Sequence, residues 1–321
     1  MALNNALGQT QTYYTLSPAV AGDWASSNPR QTVLAGPGGF VAGASGVTVG
    51  AFAWASASTV DPNGAPAIVN SFGSGAVTGF CARLQQGLIT AYLSDASMTI
   101  PAGFPVTLMD YADVWVVNSG STQALFGQKA YANFANGLIS FAATGSASTS
   151  TATTFSISAQ TFSVTASVTG NVMTVSTVGS GTLYPGAVLS SAAASATILS
   201  QTSGTTGGTG TYTVSVPEQS VASTTITGTY GLLTLGGTIT GTFPLGASIT
   251  GTSVPTGATI TANATNGASL TGAGGAGTYV TLTGTASSGT LTGATNIETS
   301  WYARSTGNAG ELVKISHQAL G

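Results

Sequence analysis

The sequence predicts an all-β protein: a base of β-barrel or sandwich type built from both chain ends, with two small tandem β modules between them. Three observations carry this. Short apolar runs alternate along the chain and stop at Gly, Pro, Asn or Ser, the pattern of sandwiches and barrels. Thr, Ser and Gly are frequent enough to disfavour helix interiors throughout. The middle of the chain holds an internal duplication, bounded on each side by a change in composition.

The first predicted strand is Val47-Thr-Val-Gly-Ala-Phe-Ala-Trp54. Asp113-Val-Trp-Val-Val-Asn118, Leu138-Ile-Ser-Phe141, Val164-Thr-Ala-Ser-Val168 and Tyr212-Thr-Val-Ser-Val216 repeat its pattern. The duplication follows from ordered matches. Gly181-Thr-Leu-Tyr-Pro-Gly-Ala187 matches Gly241-Thr-Phe-Pro-Leu-Gly-Ala247, and Ala196-Thr-Ile198 matches Ala258-Thr-Ile260. Gly207-Gly-Thr-Gly-Thr-Tyr212 matches Gly274-Gly-Ala-Gly-Thr-Tyr279, and Ser223-Thr-Thr-Ile-Thr-Gly228 matches Ser288-Gly-Thr-Leu-Thr-Gly293. Leu183/Phe243, Ile198/Ile260 and Tyr212/Tyr279 are then expected to fill a thin core in each copy. Units this small are marginal alone, so neighbours should add burial.

Charge sets the boundaries. Only 4% of the 321 residues are charged, against roughly 25% in an ordinary domain. Between Ala130 and Ile297 the one charge is Glu218, and all four tryptophans lie outside that middle. The expected organisation is a base over 1–145 completed by 295–321, a first repeat over 146–229 and a second over 230–294.

The same composition excludes function classes. Five basic residues and a net charge of −3 leave no electrostatic footprint for nucleic acid or an anionic membrane. No run of about 18 apolar residues exists to span a bilayer. The first residues lack a basic region and an apolar core, so no secretion signal is expected. Cys81 is the only cysteine; it has no neighbouring histidine or lysine and reads as a small buried residue. His317 is the only histidine, the fifth residue from the end, a poor place to hold a catalytic base. Asp110 and Asp113, the closest carboxylate pair, read as a turn before a strand. Gly36-Pro-Gly-Gly-Phe40 lacks the lysine of a phosphate loop, and Gly204–Gly210 reads as a hairpin turn. No catalytic residue, cofactor or metal site is expected.

The ends resemble a known family. Ser27-Asn-Pro-Arg-Gln31, Val41–Trp54, Gln85-Gln-Gly-Leu-Ile-Thr-Ala-Tyr92, Ala96–Leu108 and Asp113–Val117 are similar to the structural cement, or capsid decoration, proteins of tailed phages. Gly127–Asn133, Gly137–Ala142, Glu298–Ala303 and Gly310–Ser316 continue the likeness, over about half the chain. The repeats resemble Gly/Thr-rich modules of phage surface proteins. The resemblance implies a non-enzymatic virion protein, made in the bacterial cytoplasm and seated on the capsid's outer surface. Its implied partners are the major capsid protein and further copies of itself, as a dimer or trimer. Candidate contact residues are Trp24, Arg30, Arg83, Trp115 and Trp301, rare large or charged groups on a plain surface. The alternative is a tail-fibre or adhesin-type protein that binds glycans through the repeats.

Overall fold

Alternation gives each apolar run one buried face, and pairing then builds sheets from them. The computed structural model describes residues 19–318 except 62–63, 74, 85–96, 191–195, 216–218, 265–272, 275–276 and 287–288. Among the described residues there is no helix, and the chain is all-β. The Gln85–Tyr92 stretch, Glu218 and Ser288 lie outside the described residues.

The first strands are β1 (Gln31–Thr32), β2 (Phe40–Ala42), β3 (Val47–Thr48), β4 (Phe52–Val60), β5 (Pro66–Asn70) and β6 (Gly79–Cys81). Next come β7 (Thr99–Ile100), β8 (Pro105–Val106), β9 (Leu108–Tyr111), β10 (Asp113–Val117), β11 (Lys129–Asn133) and β12 (Ile139–Ala142). The middle holds β13 (Thr149–Gly170), β14 (Val172–Ser180), β15 (Val188–Leu189), β16 (Ile198–Gly204), β17 (Gly210–Val214) and β18 (Gln219–Thr240). It continues with β19 (Phe243–Pro244), β20 (Ile249–Thr250), β21 (Ala262–Asn263), β22 (Ala273–Gly274), β23 (Gly277–Thr281) and β24 (Leu291–Ala294). The last two are β25 (Asn296–Ala303) and β26 (Leu312–Ser316).

Two sheets face each other in the base. One runs β1-β9-β6-β4-β5-β2-β8 and the other β10-β26-β25-β11-β12. The C-terminal strands therefore sit inside the second sheet, between β10 and β11. Val114, Val116, Val313 and Ile315 point inward from that sheet, and Phe52, Phe80 and Met109 meet them from the other. Trp301 packs between Phe52 and Phe80, with ring centroids 6.0 and 5.7 Å away. Each such buried ring contributes about 1.5–3 kcal/mol. A second cluster, including Phe40, Val69, Cys81 and Leu108, also packs on strands of the seven-stranded sheet. Burial there pushes the Cys81 thiol up to about 12, so it is an inert packing residue.

Two local expectations change. Val47–Trp54 forms two strands rather than one, because Gly50 turns the chain at φ +80°. A Cβ there would lie 2.7 Å from that of Ala21. Asp110 is part of β9, and Ala112 alone separates β9 from β10.

The middle forms an arm around two long strands. β13 and β18 pair antiparallel almost end to end, a length of about 70 Å at the strand rise. The halves that carry Phe162, Val164, Ile226 and Tyr230 fill one core. The halves that carry Phe155, Ile157, Leu233 and Leu235 fill another. Residues 229 and 230 are thus neighbours within one strand that serves both cores. The matched segments make like contacts. Met173 pairs with Tyr212 as Leu233 pairs with Tyr279. The Gly186 amide donates to Ile198 at 2.8 Å, and Gly246 to Ile260 at 2.7 Å. Gly204 and Gly210 face each other across the β16–β17 hairpin.

Candidate functional site

The outer face of the five-stranded sheet is where the chain's rare side chains gather. On β10, Val114 and Val116 face the core, so Asp113 and Trp115 must face away. The same alternation on β26 turns Lys314 outward between Val313 and Ile315. Trp115 and Lys314 are cross-strand partners. The Lys314 ammonium stands 4.9 Å from the Trp115 ring centroid, within cation–π range.

A second row crosses four strands. Asp113 lies opposite Ser316, Ser316 opposite Tyr302, and Tyr302 opposite Lys129. The Lys129 ammonium is 3.8 Å from the Tyr302 ring centroid and 3.9 Å from a Glu298 carboxylate oxygen. Arg304 extends the Trp115–Lys314 row: its amide donates to the Lys314 carbonyl at 2.7 Å, and its guanidinium donates to the Gln318 carbonyl.

The N-terminal segment adds to the free side of β10. The Gly22 amide donates to the Trp115 carbonyl at 2.7 Å, and the Trp115 amide to Asp23 at 2.9 Å. Trp24 bridges to Val114, which turns its ring to the core side at the rim of the sandwich. The Arg30 guanidinium carbon lies 4.1 Å above that ring. Arg83 joins the same edge, 3.3 Å from Asp23. All five basic residues of the chain therefore lie on this sheet or along its β10 edge.

Asp113 is held by neighbours rather than by an ion pair. It accepts from the Ser26 hydroxyl at 2.6 Å and from the Asn28 amide at 2.5 Å. Burial pushes its carboxyl up. Hydrogen bonds from Ser26, Ser316 and Asn28, with the charge of Arg304, outweigh that and hold it below the ordinary range. A cleft of about 440 Å³ opens beside it, bounded by Asn28, Arg304, Lys314 and Ser316.

Four of the five sequence-predicted contacts, Trp24, Arg30, Arg83 and Trp115, come together around β10. Trp301 does not join them: it is 2% exposed and belongs to the core. Lys129, Tyr302, Arg304 and Lys314 were not among the predicted contacts. The signal for Lys314 is its place between Val313 and Ile315, which marks an outward position on a half-buried strand.

His317, the one histidine of the chain, is half-buried against two aromatic rings. The His317 ring lies 5.4 Å from Tyr111 and 5.7 Å from Trp301, centroid to centroid. Among the described residues no three His, Cys, Asp or Glu gather as a metal site. No helix there is long and apolar enough to cross a membrane. A second cleft, about 300 Å³, lies where Phe72 and Asn70 of the base meet Pro185, Ile198 and Ile260 of the arm. It carries no charge, and Trp54 beneath it is only 3% exposed.

The family model described as XM1 gp53 minor capsid protein matches residues 8–177, just over half of the chain. No curated protein matches.

Proposed function

Because the chain belongs to the XM1 gp53 minor capsid protein family, we propose that it is a phage virion structural protein of the cement or decoration kind. The base binds the outer surface of the major capsid shell, and the arm is displayed to solvent. The observation that carries this reading is the segregation of charge. Every basic side chain lies on the five-stranded sheet or its β10 edge. From 146 to 294 the chain has one charged residue, Glu218. An adhesin would need aromatic platforms on the arm, but Tyr212 and Tyr279 are buried in its cores.

Such a protein works by mass action and needs no chemistry. Binding only the assembled shell stabilises it by about 2.7 kcal/mol per site at a concentration a hundredfold above Kd. Symmetric shells favour closed oligomers at local axes, and a dimer or trimer of bases fits that rule. The test adds purified chain to shells that lack it. Saturable binding with a raised shell melting temperature is expected. Shells that neither bind the chain nor melt later would contradict the proposal.

A further inference from the structure

We propose that the docking surface is the outer face of the five-stranded sheet with its β10 edge, and that its partner is a carboxylate-bearing patch on the capsid shell. This rests on the cement reading and adds which face docks and what chemistry meets it.

Three cations of this surface stand over aromatic rings: Arg30 on Trp24, Lys314 on Trp115 and Lys129 on Tyr302. The ring fixes the cation in place, so less side-chain freedom is lost when a partner binds. Among the described residues, Lys129 and Arg83 have carboxylate partners within 4 Å, Glu298 and Asp23. Arg30 and Lys314 have none there: Arg30 bonds only the Ser26 carbonyl, at 3.4 Å, and stacks on Trp24. These two cations are poised for acids supplied from outside. Trp, Tyr and Arg are also the residue types that dominate interface energetics.

Area sets the extent of the footprint. Five strands about 4.8 Å apart and some five residues long present about 400 Å². One side of a standard interface is about 800 Å². The flat face is therefore half a site, and the Trp24–Arg30 edge must complete it. The exposed Leu125–Phe126 loop, tied to β25 by a 2.9 Å bond from the Gly127 amide to Ala303, extends it further.

The experiment is cosedimentation of the full chain with shells that lack it, across a salt series, using the wild type, Lys314→Glu, Arg30→Glu and Trp115→Ala. Thr202→Glu, on the exposed hairpin of the arm, is the control. Each face variant should bind at least tenfold more weakly at low salt, and wild-type affinity should fall as salt rises. Hydrogen exchange on shell-bound wild type, which depends on no variant, should slow in 113–117 and 312–316. Normal binding by all three variants, with no added protection in those strands, would overturn the assignment. So would a face that protects only after residues 1–18 are deleted, since this chain's own segment would then be its occupant. Wild type that fails to bind shells at all would instead overturn the cement reading itself.

Discussion

The Tyr131 hydroxyl lies 2.9 Å from a Glu298 carboxylate oxygen, joining two strands 167 residues apart in sequence. The same hydroxyl is 2.6 Å from the Ala143 carbonyl, so its one proton is shared between two acceptors. Glu298 also accepts from the Gly145 amide at 2.7 Å. The contact locks the base at the point where the arm departs. Nearby, the Thr295 amide donates to Ser148 at 2.8 Å, and Ser148 to the Asn296 side chain at 2.8 Å. Glu298→Gln should therefore destabilise the base by about 1–2 kcal/mol, as loss of hydrogen bonds to a partly exposed charge does. Tryptophan fluorescence reads this directly, because all four tryptophans lie outside the arm. An unchanged denaturation midpoint would contradict it.

Acid should act on the base through Asp113 and Glu298. The Gly145 amide bond holds the Glu298 carboxyl below its ordinary value; burial opposes it, and the Tyr131 hydroxyl and Lys129 add smaller effects in the same downward direction. Asp113 is held low as well, its hydrogen bonds outweighing burial. A depressed pKa in the fold means the ionised form is the one stabilised. Their contribution is then complete above the ordinary values, 3.8 for Asp and 4.5 for Glu. It is lost as pH falls through the lower folded values. Tryptophan-monitored melting should therefore decline below about pH 4.5. The decline should be shallower in Asp113→Asn and Glu298→Gln. Equal slopes in all three proteins would contradict this.

Trp301 and Trp115 should separate stability from binding. Trp301→Ala removes a fully buried ring and should cost about 3–5 kcal/mol. Trp115→Ala removes an outward ring and should change stability by under about 1 kcal/mol. Chemical denaturation distinguishes them. Similar losses in both would show that Trp115 is a packing residue.

The two cores of the arm should unfold as one. Phe155 and Phe162 lie on the same strand but in different clusters. Either residue changed to Ala should lower one shared transition, because β13 and β18 cannot be released from one core and kept in the other. Hydrogen exchange in the arm would read two independent transitions as the contrary result.

How far the sequence reveals this depends on the residue. The charge map points to the base, and Asp113-Val-Trp-Val-Val fixes which side chains face out. Trp301 and Tyr302 are adjacent aromatics on one strand, so one must point in and the other out, and composition does not say which. The continuity of β18 is hidden in the sequence, where Gly228 and Gly231 interrupt the run of side chains. They serve close approach. A Cβ on Gly228 would lie 2.3 Å from the Phe162 ring, and one on Gly231 would lie 2.2 Å from the Leu282 carbonyl oxygen. The pairing of Lys129, Tyr131 and Glu298 was not legible either, because it depends on the C-terminal strands entering between β10 and β11.

The most direct test of the central claim is cryo-electron microscopy of the virion that carries this chain. The account predicts density for the base with the β10–β26 face against capsid subunits and the arm pointing away. Density with the arm seated on the shell and that face turned to solvent, or density on the tail alone, would contradict it.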